Sequence, residues 1–321
     1  MGEASLQTRP LKQTVCVLGG TGFVGQELAQ RLCRDGHWVW IPTRSESGHD
    51  QLRVLDTVRL IHANVHDPRV LARLFRGVDA VINLVGILNE HGRSTFRSVH
   101  VELAEKIVSA ARTAGVKRLL HMSSLGADAS AGPSRYLRSK GEAEALVRAS
   151  GPALRWTIFR PSVIFGAGDS LTNRFAGLVR LSGGFLPLAR AGARFAPIAV
   201  EDVAEAFRRA LSSRATIGQT YELCGPEIMT LKRLVQMTAS AAGMQCRILP
   251  LPDFVSWLQA AVMGLLPGTP FSLDNYRSLT VDSVCREDGC ARLGIQPQPM
   301  LSELPIYLAQ PGVADSPRLL R

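Results

Sequence analysis

The sequence has no Cys-x-x-Cys pair. Its six cysteines, at 16, 33, 224, 246, 285 and 290, are spread over 321 residues, so their spacing offers neither a zinc knuckle nor a redox motif. Cys16 and Cys224 fall in apolar, strand-like runs, and a long chain with no visible secretion signal is expected to keep such thiols buried and reduced. Cys285 and Cys290 have no second ligand pair nearby, and His62 and His66 flank a strand end without a carboxylate motif, so no metal site is expected. Residues 1–13 have no apolar core of the kind a signal peptide needs. No apolar run reaches the ~20 residues of a spanning helix. The longest, Phe254–Leu266, has thirteen residues broken by Ser256, Gln259 and Gly264. It reads as a helix buried under a second lobe, with a position on a membrane surface as the alternative. No run of five basic residues and no basic stretch interleaved with aromatics occurs, which argues against nucleic acid as a partner. Internal repeats and low-complexity linkers are also missing.

What is present is ordinary globular material, 46% hydrophobic and 20% charged, enough for one large α/β unit with an added lobe or for two domains. The net charge of +10 favours anionic partners, such as a phosphorylated cofactor or an acidic lipid surface. The expected location is cytoplasmic, with a peripheral place on the inner face of a membrane as a further possibility.

The most informative stretch is residues 15–25. Val15–Leu18 is a short Val-rich run typical of a buried parallel strand. Glycines follow at 19, 22 and 25, and a helical stretch covers 26–34. A strand that ends in closely spaced glycines and opens into a helix presents backbone N–H groups and a positive helix end to a phosphate. Gly19 would make the tight turn, Gly22 would admit the pyrophosphate, and Gly25 would let helix and strand pack closely. Thr21, Phe23 and Val24 belong to the same loop.

Further strands are expected over 37–41, 57–62, 80–85, 118–122 and 156–159, alternating with helices over 70–75, 96–114 and 136–149. That alternation predicts a parallel, doubly wound α/β sheet, with ligands beyond the carboxyl ends of its strands. Arg44 follows the second strand, nineteen positions after Gly25, near where an acidic residue would hold an adenosine ribose. A cation there favours a 2′-phosphate, hence NADP(H). Asn64 and Val65 follow the third strand, where adenine would rest. Leu84, Val85 and Gly86 end the fourth, and Gly86 leaves room for the dinucleotide to cross.

The fifth strand ends in Ser123-Ser124, and Tyr136 and Lys140 open the next helix four apart, on one face. A Lys ammonium near a phenol lowers a pKa that starts near ~10. Tyr136 can then serve as acid or base for a carbonyl–alcohol pair, with Ser124 (or Ser123) orienting the substrate oxygen and Lys140 also reaching the nicotinamide ribose. After the sixth strand, Pro161 would turn the chain around the nicotinamide, and Val163 and Phe165 would line the pocket.

Past 166 Gly and Pro become frequent. A short strand is expected over 195–200, a helix over 201–212, a strand over 218–224 that returns to the main sheet, and a helix over 231–242 capped by Thr230. Residues 13–165, with the sheet completed by 218–224, would form the nucleotide-binding domain. Residues 166–217 and 225–321 would form a smaller mixed lobe over the cofactor.

These residues together resemble the short-chain dehydrogenase/reductase superfamily, in its extended or atypical branch, over residue 14 to about 310. The motifs are Gly19-Gly20-Thr21-Gly22-Phe23-Val24-Gly25, Ser123-Ser124, Tyr136 with Lys140, Arg160-Pro161, and the helix start Asp202-Val203-Ala204. Within that branch the chain is most similar to bacterial relatives of the Rossmann-fold accessory subunit of respiratory complex I. That likeness rests on Val116-Lys117-Arg118, His121 through Ala127, Leu266-Pro267-Gly268, Leu273-Asp274-Asn275, and the tail from Leu293-Gly294-Ile295 to Pro305-Ile306-Tyr307-Leu308.

The resemblance implies a Rossmann-type fold and a tightly held NADPH. It does not by itself imply turnover, since the mitochondrial subunit is regarded as structural, whereas related proteins are linked to ubiquinone biosynthesis. The expected function is therefore an NADP(H)-dependent oxidoreductase acting on a small apolar or quinone-related carbonyl or alcohol. The alternatives are a non-catalytic NADPH-holding module of a respiratory membrane complex, and a sugar-nucleotide epimerase or dehydratase. The last fits less well. Tyr136 follows Ser124 by only twelve positions, and Leu125-Gly126-Ala127 stands where such epimerases usually carry Tyr-Gly after the serines.

Overall fold

A computed structural model describes residues 12–264 and 271–308. Leu266-Pro267-Gly268 and most of the first thirteen residues lie outside these. Seven strands form one sheet: β1 (Thr14–Leu18), β2 (Trp38–Thr43), β3 (Val58–His62), β4 (Ala80–Asn83), β5 (Arg118–Met122), β6 (Arg155–Pro161) and β7 (Gln219–Leu223). All pairings are parallel, in the order β7-β6-β5-β4-β1-β2-β3. The chain winds outward in one direction from β1 and in the other from β4, so the crevice for a ligand opens at the carboxyl ends of that pair. The α/β, Rossmann-type doubly wound sheet expected from the alternation is the one observed.

Strand β1 shows why the sheet needs cover on both faces. Successive side chains point to opposite sides. Val15 and Val17 join a core with Leu28, Ile41, Phe159 and Phe207, while Cys16 and Leu18 join another with Leu71, Phe75, Leu103 and Ile107. The first layer is supplied by α1 (Phe23–Arg34), which buries Val24, Leu28, Ala29 and Leu32, and by the helix Val200–Ser212 packed on it. The second is supplied by the helices Pro68–Leu74 and Leu103–Ala114. A π-helical turn, Arg97–Glu102, leads into the latter, so the single helix expected over 96–114 has an irregular first third.

Beyond β6 the structure holds more order than glycine and proline frequency suggests. Asp169 caps a helix, Ser170–Leu181, by accepting the Thr172 N–H. The strand expected over 195–200 is divided. Arg194–Phe195 pairs with Met229–Thr230 and Ile198–Ala199 with Ile164–Phe165, and Pro197, which has no N–H to give a ladder, sits between them. A parallel ribbon of Phe185–Leu188 and Arg247–Pro250 completes this region.

Two expectations are corrected. Cys224 and Cys285 are not reduced thiols but form a disulfide, with Cα atoms 6.0 Å apart. Folding brings the end of β7 beside the segment preceding Gly289–Arg292, a proximity that a separation of 61 residues conceals. Cys16 and Cys290 are buried and free, and Cys33 and Cys246 are half-buried and free. Second, the apolar run from 254 is not buried. In the helix Asp253–Met263 only Ser256 and Ala260 are buried. Among the described residues no helix is long and apolar enough to cross a membrane, and no group of three or more His, Cys, Asp or Glu side chains could hold a metal ion.

Candidate active site

The glycine loop is pressed between β4 and α1. Gly19 has φ +79°, and a Cβ there would stand 3.1 Å from the Leu84 carbonyl carbon and the Val85 nitrogen. A Cβ on Gly25 would overlap the Gly19 carbonyl and the Gly20 backbone, so the helix can pack on the loop only without one. Gly22 heads α1 in extended conformation, with no side-chain cap and no acidic residue in the first turn. The positive end of the helix is thus left open to an anion. Thr21 and Phe23 are half-buried beside it and Val24 is buried. This cradle, uncapped and too closely packed for a Cβ at Gly25, fits the pyrophosphate of a dinucleotide.

Arg44 stands exposed just past β2. Its charge and that of Lys106 both act on His66, past β3, whose pKa is lowered chiefly by burial and then by these two cations. The ends of β2 and β3 therefore form a positive corner. Asn64 is exposed there and its side-chain oxygen accepts the His66 N–H at 3.1 Å, while Val65 packs against the core.

Ser124, Tyr136 and Lys140 come together. Tyr136 opens the helix Arg135–Arg148, which Ser134 caps by accepting the Leu137 N–H at 3.1 Å. The Ser124 hydroxyl, which donates to the Leu125 carbonyl at 3.2 Å, lies beside the Tyr136 phenol and acts to lower its pKa. Lys140 is buried, donates to the Met122 carbonyl at the end of β5 at 3.2 Å, and lies where a Cβ on Gly86 would be 3.1 Å from its Nζ. Burial pushes the ammonium down to about 8, opposed by Glu144. The phenol is not depressed as the Tyr–Lys spacing suggests. Burial raises its pKa, and the neighbouring Ser124 hydroxyl works against that rise.

Pro161 ends β6, and its carbonyl accepts the Leu125 N–H at 3.1 Å, tying that strand to the serine turn. Val163 is half-buried and packs against the cluster around Val179, Leu186 and Val235.

Sequence reasoning missed a polar layer beneath these groups. His100 accepts the Ile87 N–H through Nε2 at 3.1 Å, and its Nδ1 meets Ser139 Oγ at 2.8 Å. Ser139 Oγ in turn donates to the Tyr136 carbonyl at 2.7 Å. These partners assign the proton to Nδ1. Phe96 stacks on His100, and both rings meet the Tyr136 ring edge-on, at centroid distances of 5.9 and 5.6 Å. His121 pairs with Asn83 at 3.1 Å. Burial, then the Lys140 charge, push His100 down to about 2 and His121 to about 3. His121 Nε2 and Ser123 Oγ are buried without a hydrogen-bond partner among the described residues. The available signal was a histidine inside an apolar strand, since a buried polar group needs a reason.

A second missed residue is Asp274. Its carboxylate accepts the N–H groups of Arg135 at 2.7 Å and Tyr136 at 3.0 Å. Ser278, one turn later, donates to Ser134 Oγ at 2.8 Å. Chemically, the arrangement offers a phosphate cradle, a positive corner for the adenosine side, and a hydroxyl–phenol–ammonium group where the other half of a dinucleotide would end.

Comparison with known proteins agrees with this geometry. The family described as NAD(P)H-binding matches residues 19–213. The chain is 32% identical to the mitochondrial NADH dehydrogenase [ubiquinone] 1 alpha subcomplex subunit 9 of Arabidopsis thaliana, over 85% of this chain and 71% of that protein. It is 31% identical to the ceramide reductase of Caulobacter vibrioides, over 74% of each. A nucleoside-diphosphate-sugar epimerase from Staphylococcus aureus shares the fold at a TM-score of 0.72 and 20% identity, over 91% of this chain and 99% of that one. On the sheet, the cradle and these matches together, the chain belongs to the NAD(P)H-binding family, in the part of the short-chain dehydrogenases/reductases that includes the complex I alpha subcomplex subunit 9 and its reductase relatives.

Proposed function

We propose that the protein is an NADP(H)-dependent reductase of a small apolar or quinone-related carbonyl, working at Ser124, Tyr136 and Lys140. The carrying observation is the Ser124 hydroxyl beside the Tyr136 phenol, with a buried Lys140 next to Gly86. Arg44 favours the 2′-phosphorylated nucleotide. Gly19, Thr21, Gly22, Phe23, Val24 and Gly25 hold the pyrophosphate, Asn64 and Val65 face the adenine, and Leu84, Val85, Gly86 and Pro161 flank the crossing. The bound nicotinamide supplies the hydride. Tyr136 gives its proton to the substrate oxygen as that oxygen gains charge, and a phenol held protonated near neutral pH suits the reducing direction. Ser124 orients the oxygen. Lys140, charged below about pH 8, stabilises the phenolate left behind. The division into a nucleotide-binding part, 13–165 with 218–224, and a substrate lobe, 166–217 with 225–321, belongs to the same reading.

The relatives named as complex I subunits favour a second reading, in which the nucleotide stays bound and the protein is a peripheral component of a respiratory complex on the cytoplasmic face of a membrane. One experiment separates the two: NADPH consumption against a panel of carbonyls and quinones, with wild type beside Tyr136→Phe. Tyr136-dependent turnover supports the reductase. Tight NADPH binding with no turnover in either protein supports the second reading.

A further inference from the structure

We infer that the helix Asp253–Met263 and the neighbouring ribbon form a docking face for an anionic lipid bilayer, lying flat on its surface. This deepens the peripheral-membrane element of the second reading and does not depend on turnover.

The helix is inverted relative to a core helix. Its small inward residues, Ser256 and Ala260, lie one turn apart, while Phe254, Trp257, Leu258 and Val262 are exposed at 72, 47, 47 and 55%. These four recur at helical spacing and so share a face. The face continues onto the ribbon. Gln259 reaches the Pro187 carbonyl at 3.4 Å, and the outward side of the ribbon carries Phe185, Pro187 and Leu249, with Leu181 exposed just before it. A contiguous apolar surface of this kind marks an interaction site.

Charge selects the occupant. Arg247 sits directly opposite Phe185 in the ribbon register, and Arg180 adjoins Leu181. Both are exposed, and neither makes an ion pair among the described residues. Asp253, the acidic residue at the head of the helix, is already paired with Arg190 at 2.8 Å. A second copy docked through the same face would bring like arginines to one rim, in a chain of net charge +10. An anionic bilayer meets aromatic residues and arginines together. Eleven helical residues span roughly 16 Å, about half the hydrocarbon thickness, so the helix rests on the bilayer and does not cross it.

The face lies close to the candidate active site. The helix packs on the short helix Leu273–Ser278, whose Asp274 caps the Tyr136 helix. Docking would therefore hold the lobe beside the site at the lipid surface, where an apolar substrate is concentrated.

The test is co-sedimentation of the full chain with vesicles of phosphatidylcholine alone and with phosphatidylglycerol added, at low and high salt. Wild type is expected to sediment with the anionic vesicles and to be released by salt. Phe254→Ser/Trp257→Ser should abolish binding. Arg180→Gln/Arg247→Gln should weaken it about thirty-fold, from about five-fold per arginine. Thermal unfolding of both variants, matched to wild type, shows that they fold. Equal sedimentation of wild type and the Phe254/Trp257 variant would overturn the proposal. So would no binding to anionic vesicles, or a wild-type dimer that the same variant dissociates. Failure of the reductase assay leaves this measurement untouched.

Discussion

His100 and His121 place two imidazoles and the Lys140 ammonium in one buried region, and the structure resolves the conflict by keeping both rings neutral, at about 2 and about 3. In the unfolded chain each returns to about 6.5. Between about 6.5 and about 3 the unfolded state therefore binds more protons, and stability falls as pH falls, by up to about 1.4 kcal/mol per pH unit for each ring. Lys140 has the same sign in a higher window. Pushed down to about 8, it adds stability as pH rises from there towards its unfolded value. Urea midpoints at pH 7, 5.5 and 4.5 should show a shallower acid slope in His121→Gln than in wild type. Superimposable slopes would contradict the assignment. Ser124, Tyr136 and Lys140 were legible in the sequence because a fixed spacing after a strand end is a one-dimensional signal. His100 was not, because its partners Ile87 and Ser139 lie 13 and 39 residues away and meet only in the fold.

At the scale of elements, the helix bearing Tyr136 is held at its start by the distant helix Leu273–Ser278. The Asp274 carboxylate takes two of the first N–H groups that no intrahelical partner can satisfy, at the positive end of the helix dipole. Asp274→Ala should destabilise the protein by about 1 kcal/mol and reduce Tyr136-dependent turnover more than NADPH affinity, because the glycine loop is remote from the change. An equal loss of both, read from a nucleotide titration beside the rate, would show that the cap supports the whole site and not the tyrosine helix alone. Strands β1 to β6 could be read from the sequence because buried parallel strands are short apolar runs. The helix Ser170–Leu181 could not, because its cap, Asp169, lies among glycines that suggest a loop. The inverted helix Asp253–Met263 was misread because hydrophobicity tells which residues avoid water, not what covers them.

At the scale of the whole molecule, the disulfide joins the edge strand β7 to the segment leading into Gly289–Arg292. Cys290 lies alongside, its thiol 3.6 Å from the Cys224 carbonyl. Closing a loop of 61 residues restrains the unfolded chain by up to about 4 kcal/mol. A reducing agent or Cys285→Ser should lower the urea midpoint correspondingly, and an unchanged midpoint would show that the bond contributes nothing. Backbone topology sets the larger division of labour. The parallel order places the glycine cradle, the Arg44 corner and the Ser124–Tyr136–Lys140 group along one edge of the sheet, while the chain beyond β6 supplies the cap on the tyrosine helix and the exposed apolar face.

The most direct test of the site as a whole is NADPH consumption measured with the panel of apolar carbonyls and quinones, paired with NADPH and NADH titrations on the same preparations. The account predicts tighter binding of NADPH than of NADH. It also predicts at least one substrate that wild type reduces and Tyr136→Phe reduces about 10²–10⁴-fold more slowly, with NADPH affinity unchanged within a few-fold. Turnover that survives in Tyr136→Phe would contradict it.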